Sequence, residues 1–156
     1  MKKILLTLIL ACTFAVGTQA QEIYKEVKSL QSKVEAIVND ETKDLETRKV
    51  ACFKYDAIYY LIDKASKDDT FTEYDLGTQT NAMIDFVNLY VKRLSMEKKT
   101  SGKEVVKAKF RAATINNSLF NDVDKEVVYG YVDNDKYITQ FSLDTDWVKA
   151  LNEVKQ

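Results

Sequence analysis

Histidine is missing from this chain, and so is proline. The first absence removes Ser-His-Asp and Cys-His nucleophile systems, His-ligated zinc and imidazole proton shuttles. The second suits long helices, because proline is what most often breaks a helix interior. The only cysteines are Cys12 and Cys52. Gly17, Gly77, Gly102 and Gly130 are too scattered to form a phosphate-cradling loop. There is no basic block either: 23 Lys and Arg are mixed among 24 Asp and Glu. That balance argues against nucleic acid and against anionic membrane surfaces as partners.

The first twenty residues read as a secretory signal peptide. Lys2 and Lys3 make a positive start, Ile4 to Val16 an apolar run, and Thr18-Gln19-Ala20 puts small residues at the −3 and −1 positions of a cleavage site. The plainer alternative, an uncleaved membrane anchor, conflicts with the shortness of the apolar run. A lipoprotein anchored at Cys12 conflicts with its continuation past that residue. The expectation is an exported protein, periplasmic or secreted, with residues 1–20 removed and 21–156 forming a single domain with no transmembrane segment. Cleavage takes two lysines and no acid, leaving a net charge of −3. It also leaves Cys52 alone, so no internal disulfide and no thiolate metal site is available.

Apolar periodicity then predicts an all-α fold: a helical bundle of four main helices plus a short C-terminal helix. Glu22 to Val38 carries a seam of Ile23, Val27, Leu30, Val34 and Ile37. Val50 to Ala65 is apolar almost all the way round, too short and too charged to span a membrane. It is therefore expected to be the central helix, within a longer one from about Thr42 to Lys67. Lys54 and Lys64 interrupt its apolar side, where their long stems can reach out to water. Glu73 to Glu97 places Leu76, Met83, Phe86, Val87, Tyr90, Val91 and Leu94 on one face. Lys103 to about Phe120 follows, with Thr100 or Ser101 as its cap. Ser142 to Lys155 closes the chain, with Asp144 or Thr145 as cap and Trp147 as anchor. Between the last two, Asp122 and Asp124 favour the start of a short helix at Lys125. The β-branched and aromatic runs around the turn at Asp133 to Lys136 leave a small β-hairpin at 127–141 open.

Candidate chemistry is sparse. The carboxylate pairs Asp122/Asp124, Asp133/Asp135 and Asp144/Asp146 suit acid–base work, but Asp has a plainer use as a cap or turn residue. Asp122, Asp124, Glu126 and Asp133 approach calcium-loop spacing, yet Val127 stands where that loop needs glycine. No catalytic residue, metal or cofactor is assigned. Nine tyrosines are present. Tyr is a stiff ring with a polar tip, suited both to binding surfaces and to half-buried packing. The expected interaction surface is Tyr55 and Tyr59, one turn apart, with Cys52 beside them. Cys52 could link two chains, but its plainer role is a small half-buried hydrophobe, and Asp56 one turn away disfavours its thiolate. An apolar ligand in the bundle core, near Phe53, Tyr60, Phe86 and Phe110, is the alternative to a protein partner or self-association. A carboxylate-based hydrolase stands third.

Two stretches carry a resemblance: Asn117-Ser118-Leu119-Phe120-Asn121-Asp122, and Ile138 to Trp147 with Phe-Ser-Leu-Asp-Thr-Asp-Trp at its end. They resemble a group of small exported bacterial proteins of uncharacterised function. That resemblance implies export and a helical body, and it brings no activity with it.

Overall fold

In the computed structural model, residues 2–124, 128 and 141–156 are described, those from 2 to 20 as backbone alone. The hairpin or short helix expected across 125–141, and the pair Asp133/Asp135, lie almost wholly outside the described residues. Among the described residues the protein is all helix, with no strand: α1 (Lys2–Asn39), α2 (Leu45–Ala65), α3 (Glu73–Met96), α4 (Thr100–Asn116) and α5 (Trp147–Lys155). No helix among them is long and apolar enough to cross a membrane.

Local side-chain chemistry sets the boundaries. Asp40 accepts from the backbone N–H and hydroxyl of Thr42 at 3.0 and 2.6 Å, which turns the chain after α1. Asp44 then caps α2, accepting from the Thr47 N–H at 2.8 Å. The same Asp-x-Thr turn recurs at Asp68 and Thr70, and a capping box of Thr72 with Asp75 starts α3. Three expectations need correcting. α4 begins at Thr100, so Thr100 and Ser101 lie inside it, and its cap position, Lys99, makes no side-chain cap bond. α4 stops at Asn116, short of Phe120. α5 is capped by Asp146, not by Asp144 or Thr145.

α3 is the hub. Its backbone lies alongside α1, α2, α4 and α5, whereas that of α2 lies alongside α1 and α3 and reaches α5 through the Phe53–Trp147 ring contact. Val50 to Ala65 is therefore not the central helix. Its apparent all-round apolarity came from counting tyrosine as apolar. Tyr59 is 59 % exposed and Tyr55 half-buried, because a phenol is content at a wet margin. Gly77 helps α1 approach the hub: a Cβ there would meet Ile23 Cγ2 at 2.8 Å.

The core is a ring cluster. Phe53, Phe86, Tyr90, Phe110, Phe141 and Trp147 are buried and meet edge-on or tilted, with centroids 4.9 Å apart at the closest (Phe86–Phe110 and Tyr90–Phe141). Trp147 meets both Phe53 and Phe86, at 6.2 and 5.5 Å. Each such pair adds about 0.5–1.5 kcal/mol to the burial of its rings. Arg93 closes one side, its guanidinium over Phe110 and its Nη1 donating to the Val154 carbonyl at 2.8 Å. That bond satisfies a carbonyl in the last turn of α5.

Candidate binding groove

A cavity of about 600 Å³ opens in a groove between α1, α2 and α3. Leu30, Val34 and Ile37 of α1 line it, with Val50 and Ala51 of α2 and Ile84 and Val91 of α3. Lys54 and Asn88 stand on its wall, and Asp44, Glu46 and Thr47 at the start of α2 complete it. Its volume falls within the ~300–1,000 Å³ of small-molecule sites. The seam residues of α1 explain the opening. Val27 and Val34 are buried while Leu30 is half-buried and Ile37 exposed, so the seam leaves the core as α1 runs toward its C-terminus. Arg48 Nε donates to the Val38 carbonyl at 2.9 Å and fixes α2 to that end of α1.

Lys54 occupies an unusual place. On a 3.6-residue helix it shares its side with Ala51, Ala57, Ile58 and Leu61, all buried. Its Nζ donates to Asn88 Oδ1 at 2.7 Å. Burial pushes its amine below the ordinary lysine range. No carboxylate among the described residues lies at ion-pair distance from it. The sequence reading took Lys54 for an interruption whose stem snorkels. Its position in the buried arc was the available signal.

A second polar site is built from the two stretches that carry the resemblance. Asp144, 1 % exposed, accepts four hydrogen bonds. Its Oδ1 takes the Leu119 and Phe120 N–H groups at 3.1 and 2.6 Å. Its Oδ2 takes the Asp122 N–H at 2.7 Å and the Ser118 hydroxyl at 2.5 Å. Asn121 adopts φ 56°, the left-handed turn that asparagine tolerates; this turn lies between the Phe120 and Asp122 N–H groups, which both point at one carboxylate. Other polar groups of Phe141–Trp147 are occupied as well, except the Trp147 indole N–H, which is buried without a hydrogen-bond partner among the described residues. Thr145 Oγ1 donates to the Ser142 carbonyl at 2.6 Å, the Ser142 N–H to Thr114 Oγ1 at 3.2 Å, and Gln79 bridges Asp146 and the Trp147 N–H at 3.0 and 2.7 Å. All seven residues from Phe141 to Trp147 are buried.

Tyr60, Lys64 and Asp122 border this cluster. Asp122 Oδ2 accepts from Lys64 Nζ at 2.7 Å and from the Tyr60 hydroxyl at 3.2 Å. The Lys64 hydrogen bond, with the N–H of Asp124, holds Asp122 below the usual carboxylate range. Burial, then the charges of Asp144 and Asp122, push the Tyr60 phenol far above its ordinary value. Both groups move away from neutrality, whereas acid–base catalysis needs groups poised near it.

Other predicted residues are placed as follows. Cys52, Tyr55 and Tyr59 form one stripe on α2, with Cys52 half-buried. Asp124 and Asp122 are near neighbours, the Asp124 N–H donating to Asp122 Oδ1 at 3.2 Å. Asp144 and Asp146 diverge, one to the 118–122 loop and the other to the start of α5. Phe53, Tyr60, Phe86 and Phe110 each take part in ring–ring contacts. Among the described residues, no group of three or more His, Cys, Asp or Glu is placed to hold a metal ion.

No protein-family model, curated protein or solved structure matches the chain. None of these comparisons supports the resemblance drawn from Phe141–Trp147; the burial of those residues gives them a structural role.

Proposed function

We propose that the chain is an exported, non-catalytic helical binding protein whose site is the α1–α2–α3 groove, with its signal peptide removed after Ala20. The groove itself carries this reading. It has the volume and the aliphatic walls of a small-ligand site, while the polar groups of Phe141–Trp147 are largely engaged with one another and with the surrounding chain. Among the described side chains, the α1 residues in or against the core run from Ile23 to Val38, all after Ala20, so their core contact survives cleavage. Native mass spectrometry of protein recovered from a bacterial periplasm tests the reading. It should show the Gln21–Gln156 mass together with a small adduct, and the adduct should vanish in Ile84→Trp, which fills the groove. A bare chain before and after the substitution would remove the carrier role.

A protein partner is the second reading. Tyr59, exposed beside Tyr55 and Cys52, favours it. If it holds, crosslinking in the periplasm captures one partner, and Tyr59→Ala abolishes the capture without changing the melting temperature.

A further inference from the structure

We infer that the groove takes one small alkyl carboxylate, its chain lying along the aliphatic walls and its head group on Lys54 Nζ. This rests on the groove being the binding site, and it adds the class of ligand.

Three observations select that class. The first is the walls. None of the lining residues is aromatic. The groove therefore offers no ring face for a quaternary ammonium and no platform on which a flat base could stack. Branched aliphatic side chains suit a flexible alkyl chain instead. The second is length. On α1 the lining runs from Leu30 to Ile37, and on α3 from Ile84 to Val91. At 1.5 Å per residue each stretch is about 10 Å long, enough for a medium-length alkyl chain.

The third is charge. Lys54 is the cation of the lining, and Asp44 and Glu46 are its acids. The acids stand ten and eight residues before Lys54 on α2, about 15 and 12 Å along the axis. That exceeds the ~8 Å screening length at physiological salt. Asp44 is also engaged as the cap of α2, taking the Thr47 N–H and hydroxyl at 2.8 and 2.7 Å. The Lys54 amine is left with a neutral amide partner, Asn88, against an apolar wall. An anionic head group would give it the counter-charge that no described carboxylate supplies. Charge-assisted hydrogen bonds of this kind are about twice as strong as neutral ones.

The test uses decanoate, decanol and decyltrimethylammonium as probes, below micelle-forming concentrations. Titration calorimetry on the Gln21–Gln156 chain reads affinity and stoichiometry. Decanoate should bind one per chain, about tenfold tighter than decanol, and decyltrimethylammonium more weakly than either. Lys54→Met should bring decanoate down to the decanol level and leave decanol unchanged. Ile84→Trp or, should that variant not fold, Val91→Trp should abolish both. Equal binding of decanoate and decanol, unaltered by Lys54→Met, would overturn the anionic head group and leave the groove standing as a site. Decanoate binding that survives both tryptophan variants, or no binding by any probe, would overturn the groove itself and this inference with it.

Discussion

Asp144 and Lys54 are both charged side chains set among apolar neighbours, and the fold treats them in opposite ways. Asp144 is buried with four donors aimed at it, three of them backbone N–H groups in one turn. Lys54 is half-buried with a single neutral amide. A charge surrounded by matched partners rigidifies its surroundings, and removing it strands several donors at once. A charge with one neutral partner beside a cavity adds little to the fold. The first arrangement belongs to structure, and the second is what a binding site leaves open.

The largest effect should come from the anchor of the structural end. Trp147 meets Phe53 and Phe86 and stands fully buried at the start of α5. Trp147→Ala should destabilise by about 3–5 kcal/mol, measured by urea unfolding with circular dichroism. A loss under about 1 kcal/mol would mean that the ring cluster does not hold α5 in place.

Next is Asp144→Asn, which keeps the shape and changes the donor–acceptor match. An amide has one acceptor oxygen, and its NH2 must face the Ser118 hydroxyl and the Asp122 N–H, or else the Leu119 and Phe120 N–H groups. The expected loss is about 1–3 kcal/mol. Hydrogen exchange should accelerate at Leu119, Phe120 and Asp122 while Ala57 and Ile58 stay protected. Uniform acceleration would show that the loop is no separate unit.

This is also where sequence and structure part. The helices were legible because apolar residues recur at helical spacing over long stretches: Leu76 to Leu94 on α3 behaves as its pattern implies. Helix ends were less legible, since Asp144, Thr145 and Asp146 are all good caps by type, and only packing decides which one serves. The hub was misassigned because tyrosine counts as apolar in a pattern but sits at a wet margin in the fold. The groove was invisible to the pattern. Val34, Val50 and Ile84 look like any seam residues, and the space between them depends on how three helices diverge. The Phe-Ser-Leu-Asp-Thr-Asp-Trp stretch stood out in sequence, but its polar residues turned out to face inward, a property that no period of 2 or 3.6 encodes.

Acid should weaken the structural end first. Asp122 is held below its ordinary range chiefly by the Lys64 hydrogen bond. Asp146 is also lowered: burial opposes this, but the hydrogen bonds from Gln79 and the Lys149 N–H, with the Lys149 ammonium, outweigh it. A carboxyl whose folded-state value lies below its unfolded one stabilises above the unfolded value and loses that contribution as pH falls through the folded one. Stability should therefore fall as pH drops below about 4. Asp146→Asn should have a shallower fall than the parent, read from urea midpoints across the acid range. Identical slopes would mean that Asp146 titrates alike in both states.

The smallest effect should be at Lys54, and its sign separates the two regions. Lys54→Met keeps an unbranched stem of similar length against Val50, Ala51 and Ile84 and removes a desolvated amine. It strands nothing buried, because Asn88 is exposed and can turn to water. Stability at neutral pH should therefore be unchanged or higher by up to about 0.5 kcal/mol, where Asp144→Asn loses more than that. The pH dependence gives a second check. Burial lowers the amine below the ordinary lysine value of 10.5, so above neutrality the unfolded chain holds this proton more often than the folded one. Stability then rises with pH through that window by the linkage rule. Tyr60, raised in the fold, works in the opposite direction, but it is common to both proteins and cancels in their difference. The parent should gain on Lys54→Met as pH climbs from about 8 toward 10. A parent that instead loses ground over that range would show the amine to be better satisfied folded than unfolded, and the contrast with Asp144 would collapse.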